Sequence, residues 1–106
     1  MRLFTALIVV CAIVFSGGLA SAAEFSVSQK KKRFNPKLVN GQLGDTVLFV
    51  NDDRYAHNLY SDTPGFDFDV RKQMPGDKYA LKLEKRGRFE IRCVIHPRMK
   101  ITVIVE

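Results

Sequence analysis

The chain has 106 residues, and 17 lysines and arginines against 11 aspartates and glutamates give it a formal net charge of +6. This length, with no internal repeat, low-complexity tract or linker, predicts one small domain. The longest cationic run, KKKR at residues 30–33, has no interleaved aromatic side chains, so it predicts no nucleic-acid-binding surface; the positive charge instead favours an acidic protein partner.

The N-terminal residues have the pattern of a secretory signal peptide. Arg2 precedes an apolar run at residues 3–15, and residues 20–22 have the small-x-small pattern of a cleavage site. The run is shorter than the roughly 20 residues that cross a bilayer as a helix, so it does not predict a permanent membrane anchor. We expect residues 1–23 to be removed on export to the periplasm, which leaves residues 24–106 as the mature domain.

Short strands and frequent turns follow along the rest of the chain. Alternating apolar and polar side chains, or runs of β-branched and aromatic residues, predict strands at residues 25–29, 34–39, 46–50, 57–60, 78–83, 88–93 and 101–105. Turns rich in Gly, Pro, Asn and Asp separate them, and no segment keeps a helical period over three turns. The expected fold is all-β: a Greek-key β-sandwich of about seven to eight strands.

Cys93 is the one cysteine expected in the mature domain, because Cys11 is removed with the signal peptide. No intrachain disulfide can then form. In the predicted strand 88–93, Phe89 and Ile91 share a face with Cys93, so the sulfur is expected to point into the core where the strand ends. A small exported domain has marginal stability without an added constraint, and an exported thiol is prone to oxidation. A bound metal would both stabilise the domain and protect the thiol.

Three other soft or imidazole donors accompany this thiol. His96 and Met99 follow Cys93 at intervals of three residues, and His57, the only other histidine, begins a predicted strand. Two imidazoles, a thiolate and a weak thioether suit copper in both of its common oxidation states. Zinc is the rival metal, but it prefers four strong donors or an open water position, and a thioether suits neither arrangement.

The aspartates do not predict a site for a hard cation. Five of them are expected to lie in turns: Asp52, Asp53, Asp62, Asp67 and Asp69. Their spacing does not match a calcium-binding EF-hand loop, so we interpret them as turn formers and solubilising charges.

The pattern Cys93-x-x-His96-x-x-Met99, with His57-Asn58 upstream, resembles the small blue copper proteins, the cupredoxins. Its loop spacing is similar to that of the amicyanins and pseudoazurins in this family. The segments 44–47 (GDTV) and 87–93 (GRFEIRC) also resemble family strands. The resemblance implies one copper per chain, with His57, Cys93 and His96 as strong ligands and Met99 as a weak axial ligand. It also implies that the backbone N–H of Asn58 donates to the Cys93 sulfur.

Two positions beside the cysteine depart from this resemblance. Val94 stands where many relatives carry a hydroxyl residue available to the asparagine side chain. Ile95 replaces a proline that is frequent before the second histidine. Both changes leave the four ligands in place. We therefore expect them to affect the rigidity of the ligand loop, which carries Cys93, His96 and Met99.

Three classes of function would use these residues. The resemblance implies a monomeric electron carrier, not an enzyme, that exchanges electrons with redox partner proteins at the edge of His96, beside Pro97 and Arg98. A periplasmic copper-binding or copper-tolerance protein would use the same ligands without a dedicated redox partner. An enzyme with Cys93 as nucleophile is disfavoured, because nothing in the sequence predicts an oxyanion site or a substrate pocket beside it.

Overall fold

The computed structural model describes residues 21–106, and this part of the chain forms nine strands and no helix. The strands are β1 (Glu24–Lys30), β2 (Arg33–Asn35), β3 (Leu38–Gly41), β4 (Thr46–Asn51), β5 (His57–Ser61), β6 (Phe68–Gln73), β7 (Lys78–Lys82), β8 (Gly87–Arg92) and β9 (Lys100–Val105). Among these residues no helix is long and apolar enough to cross a membrane. The signal peptide predicted over residues 1–23 lies outside the described residues apart from its last three positions.

The strands are arranged in two sheets. One has the order β2-β1-β4-β7 and the other the order β3-β9-β8-β5-β6. Most neighbouring strands are antiparallel, but β1 pairs with β4 and β3 pairs with β9 in parallel. The all-β sandwich predicted from the sequence is confirmed, with nine strands rather than seven to eight and with these two parallel pairs added.

Alternating side chains fill the space between the sheets. In β4, Val47 and Phe49 are buried while their neighbours in the strand are partly exposed. The ring of Phe49 meets the edge of Phe34 from β2, with ring centroids 6.1 Å apart. Each large apolar side chain that becomes fully buried contributes about 1.5–3 kcal/mol. Ordinary core packing therefore fixes the strand ends that carry the candidate site.

Two strand predictions from the sequence were wrong in detail. The single strand expected at residues 34–39 is two strands, β2 and β3, in different sheets, and Pro36 lies at the break because proline has no N–H to continue a ladder. β6 was not predicted at all. It is a largely exposed edge strand with a bulge opposite β5, and the extra residue interrupts the period-2 alternation by which strands are recognised.

The topology brings the beginning of β5 and the end of β8 to the same end of the sandwich. These strands are antiparallel neighbours, with Tyr60 opposite Arg92. His57 is the first residue of β5, and Cys93 follows the last residue of β8. The loop from β8 to β9 carries His96 and Met99, so all four residues lie at one end of the fold.

Candidate metal centre

One thiol and two imidazoles converge at this end of the sandwich. The Cys93 Sγ lies 3.9 Å from the Nδ1 of His57 and 3.9 Å from the Nδ1 of His96. The two Nδ1 atoms are 3.1 Å apart. His57 and Cys93 are both 0% exposed, whereas His96 is only half-buried. Two donors are thus sealed inside the protein and the third reaches its surface.

The separations between these donor atoms fit one shared metal ion. Metal–nitrogen and metal–sulfur bonds of about 2.0–2.3 Å place the ligand atoms of a single ion about 3–4 Å from one another. The three candidate ligand atoms all lie within 4.8 Å of each other. A thiolate with two imidazole nitrogens is a donor set for copper or zinc, not for a hard cation such as calcium.

The sulfur of Cys93 receives a hydrogen bond from the adjacent strand. The backbone N–H of Asn58 donates to Sγ at 3.3 Å. Metals bind the thiolate form of cysteine, and a donor directed at the sulfur stabilises that negative charge inside the core. Cys93 is a free cysteine, so its sulfur is available for this role.

A buried carboxylate holds the outer nitrogen of His57. The Nε2 of His57 lies 3.0 Å from the Oδ2 of Asp53, which also accepts the backbone N–H of Lys32 at 2.9 Å. Burial by itself raises the pKa of Asp53, but the hydrogen bonds from Lys32, His57 and Arg54 outweigh it and lower this pKa. Because an ionised Asp53 accepts a hydrogen bond from the Nε2–H of His57, the proton of this neutral ring is on Nε2 and the Nδ1 lone pair is left facing Cys93.

His96 is the more accessible imidazole. Burial, followed by the nearby charges of His57 and Lys32, lowers the pKa of His96, and Asp53 only partly opposes these effects. The ring is therefore favoured in its neutral form, which is the form that can bind a metal. The Tyr55 ring packs edge-on against it, with ring centroids 6.3 Å apart.

Met99 lies in the turn that follows His96. Its backbone N–H donates to the carbonyl of His96 at 2.9 Å, and its side chain is 1% exposed. Both residues line the same surface cavity. Met74, the other methionine among the described residues, is 49% exposed. Met99 is thus the methionine that the fold places beside the cluster.

The ligand loop is fastened through the side chain of Asn58. Its Oδ1 accepts the backbone N–H of Val94 at 3.2 Å, and its Nδ2 donates to the Oδ1 of Asp69 at 2.8 Å. The side chain of Val94 itself is 63% exposed. The asparagine therefore holds the loop by the backbone of residue 94, and no hydroxyl group is needed at that position.

The structure brings together the three strong donors named from the sequence, with Met99 alongside them. Sequence reasoning missed Asp53 and Asp69, which were interpreted as turn formers and solubilising charges. The interpretation was incomplete because only folding brings each carboxylate to the site. Asp53 is hydrogen-bonded to His57, and Asp69 is hydrogen-bonded to Asn58. The only local signal was the four-residue spacing between Asp53 and His57.

Comparison with known sequences gives one family. The family model described as copper-binding proteins of the plastocyanin/azurin family matches residues 21–106. Amicyanin-alpha of Methylorubrum extorquens is 30% identical over an alignment of 90 residues, and the match covers 82% of this chain and 76% of amicyanin-alpha.

Solved structures share the fold. A methionine-to-alanine mutant of amicyanin with Cu(I) matches with a TM-score of 0.73 at 21% identity, covering 78% of this chain and 82% of amicyanin. The purple cupredoxin of Nitrosopumilus maritimus matches with a TM-score of 0.68 at 23% identity, covering 77% of this chain and 99% of that protein. The copper-containing nitrite reductase of Thermus scotoductus is 29% identical with a TM-score of 0.72; the match covers 78% of this chain and spans only 22% of the reductase.

Asp53→Ala is expected to weaken both the fold and metal binding, because it leaves three N–H donors without their acceptor. We expect the unfolding free energy of the metal-free protein to fall by about 1–3 kcal/mol in urea denaturation. Copper affinity, measured by chelator competition, should fall by about 10–100-fold. Asp67→Ala removes the same charge from an exposed side chain that accepts no hydrogen bond from the described residues, and should change the unfolding free energy by less than about 0.5 kcal/mol. Equal effects of the two variants would contradict this role for Asp53.

Stability of the metal-free protein is expected to fall as pH drops below the ordinary histidine pKa of about 6.5. His96 has a lowered pKa in the folded state, so the unfolded chain binds its proton first on acidification, and protonation favours unfolding. Urea denaturation between pH 7.5 and pH 5 should show this loss in the wild type and a smaller loss in His96→Gln. The same pH dependence in both proteins would refute the assignment to His96.

Proposed function

Because this chain belongs to the plastocyanin/azurin family of copper-binding proteins and its cofactor is copper, we propose that it is an electron carrier with one copper ion per chain. The convergence of a thiol and two imidazole nitrogens within 4.8 Å supports this proposal most directly. These donors would hold a copper ion, which would supply one-electron redox chemistry. Cys93 is fully buried and out of reach of a substrate, which argues against its use as an enzymatic nucleophile.

The proposed ligands are the Nδ1 atoms of His57 and His96 and the sulfur of Cys93, with the Met99 sulfur as a weaker fourth ligand. Asn58 would act behind them through its N–H bond to the Cys93 sulfur. The burial of Met99 beside His96 and the exposure of Met74 support this choice of methionine. A thioether is a weak donor, and as a fourth ligand Met99 would tune the reduction potential of the site.

The surroundings of the donors favour a site whose geometry changes little when its oxidation state changes. His57 is held on its outer side by Asp53, and the Cys93 sulfur is held by the N–H of Asn58. The side chains of His57 and Cys93 are fully buried, and the dense packing of a protein interior resists movement. Little rearrangement between two oxidation states means a low barrier to electron transfer, which is what an electron carrier requires.

We assign electron exchange to the exposed side of the His96 ring. Its Nδ1 faces Cys93 and His57, while the half-buried ring lines a surface cavity of about 560 Å³. The other two strong donors are fully buried. His96 is therefore the shortest path through a ligand from the candidate metal centre to a docked protein.

The surface around His96 fits an acidic partner. Five cationic side chains line the cavity: Lys32, Arg33, Lys37, Arg98 and Lys100. None of the described residues that line it is acidic. Ile95, which is 50% exposed, adds an apolar contact next to His96. An acidic protein would be attracted by the charges, and close packing on Ile95 would bring its redox centre near His96.

We further propose that the chain is exported to the periplasm and acts there as a monomer. The signal-peptide pattern of residues 1–23 supports export. Ala23, at the proposed boundary, already belongs to the fold, because its N–H donates to the Oδ1 of Asp45 at 2.8 Å. β1 begins at Glu24, so a domain that begins at residue 23 would keep every strand and this hydrogen bond, and one that begins at residue 24 would keep every strand but lose the hydrogen bond.

Met99→Gln tests the proposed axial ligand. An amide oxygen binds copper differently from a thioether, so both the reduction potential and the visible spectrum of the copper-loaded protein should change. Met74→Gln is the matched control, since Met74 is exposed and lies outside the cluster. A potential and spectrum unaffected by Met99→Gln would remove Met99 from the ligand set.

Rapid mixing with cytochromes tests the proposed electron-carrier function. The copper-loaded, reduced protein should be oxidised quickly by an acidic cytochrome at low salt, and more slowly as salt screens the charges. Slow exchange at every salt concentration, together with ready release of copper to a chelator, would instead support a copper-handling role.

Charge-reversal variants test the docking surface in the same assay. Lys37→Glu combined with Arg98→Glu should slow the reaction and weaken its salt dependence, because both side chains line the cavity beside His96. Lys82→Glu combined with Arg86→Glu makes the same change in net charge at exposed positions. Arg86 precedes β8, and so lies at the end of that strand away from Cys93. Equal slowing by both pairs would mean that net charge alone, not this surface, governs the encounter.

A further inference from the structure

The edge strand β6 contains a bulge directly beside the metal-centre strand β5. Leu59 pairs with Arg71 and Tyr60 pairs with Asp69, so Val70 is the extra residue. Arg71 has a φ of 65°, a left-handed conformation that is unfavourable for a residue with a side chain. Bulges of this kind occur next to functional sites, where they redirect side chains.

The bulge directs two acceptors at one side-chain amide. The Oδ1 of Asp69 accepts the Nδ2 of Asn58 at 2.8 Å, and the carbonyl of Arg71 accepts the same Nδ2 at 3.1 Å. Asp69 Oδ1 also accepts the backbone N–H of Arg71 at 2.7 Å, which stabilises the bulge itself. Both hydrogens of the amide group are therefore used by two residues of β6, Asp69 and Arg71, which stand on either side of the extra residue.

The opposite side of the same amide holds the ligand loop. Asn58 Oδ1 accepts the N–H of Val94, the residue after Cys93. Because an amide group is planar, fixing Nδ2 also fixes the direction of Oδ1. Two acceptors on one side and a donor on the other leave only one orientation of the amide that satisfies every bond.

Residue 94 has little else to hold it. The ladder between β8 and β9 ends at Arg92, and the Val94 side chain is 63% exposed. Neither strand pairing nor core packing therefore fixes the segment that follows Cys93. The backbone of Asn58 contacts the sulfur and its side chain contacts the next residue, so the position of Asn58 determines both.

We propose that Asp69 is a positioning residue for the metal centre: its carboxylate orients the Asn58 amide, which holds the Cys93–Val94 segment in place. The inference rests on the proposed role of Cys93 as a ligand. It adds a series of hydrogen bonds that runs from a strained edge-strand bulge, through the Asn58 side chain, to the N–H of Val94, the residue after Cys93. Asp69 touches no metal ligand itself and acts only through Asn58.

Backbone amide exchange in the metal-free protein and the visible spectrum of the copper-loaded protein test the proposal together. In Asp69→Ala, the N–H of Val94 should exchange about tenfold faster or more, because local opening costs less. The thiolate-to-copper band should shift as the sulfur becomes less constrained. Asp69→Asn keeps an acceptor oxygen and should return both readouts most of the way to the wild type.

Two more variants separate positioning from other effects. Asp67→Ala removes the same charge two residues earlier and should leave the exchange of Val94 and the spectrum unchanged. Asp69→Ser keeps an oxygen for the Arg71 N–H, as a serine turn does, but is too short to orient Asn58. It should fold with its bulge intact and still release Val94, so it serves if the alanine variant does not fold.

Wild-type exchange of Val94 and an unmoved band in a folded Asp69→Ala or Asp69→Ser variant would overturn the proposal. A wild-type protein that gives no thiolate-to-copper band would count against the proposed function instead. In that case the exchange of Val94 in the metal-free variants would still decide whether Asp69 positions the loop.

Discussion

The buried sulfur of Cys93 is the constraint on which the rest of the site depends. A thiolate is costly to bury unless positive charge and hydrogen-bond donors surround it. The Cys93 sulfur lies 3.9 Å from each of two imidazole nitrogens, which can share a bound metal cation with it, and it receives the N–H of Asn58. These contacts require the end of β8 and the beginning of β5 to meet, which the antiparallel pairing of those strands ensures.

Two carboxylates extend this constraint outward from the donors. Asp53 connects His57 to the backbone of Lys32, at the turn between β1 and β2, and Asp69 connects Asn58 to the bulge in β6. Each carboxylate thus couples a residue of the site to an element that contributes no donor. Lys32 also lies in the cationic surface around His96, so one turn belongs both to the support of the site and to the proposed docking surface.

Much of the fold and the set of donor residues could be predicted from the sequence, because they depend on local patterns. Alternation turned Cys93 inward, and the spacing of His96 and Met99 placed them on one loop. The positions of β6, Asp53 and Asp69 could not be predicted. The bulge interrupts the alternation of β6, and neither carboxylate is distinguishable in sequence from an ordinary turn aspartate. Their roles depend on distances between strands that pair only in the folded sheet.

The proposed copper site is tested most directly by the visible absorption spectrum of residues 24–106 after addition of copper(II). We expect an intense thiolate-to-copper charge-transfer band, because the only thiol of this domain lies 3.9 Å from each of two imidazole nitrogens. The band should be absent from Cys93→Ser. A wild-type protein that shows no such band, and whose thiol still reacts freely after copper is added, would contradict the account.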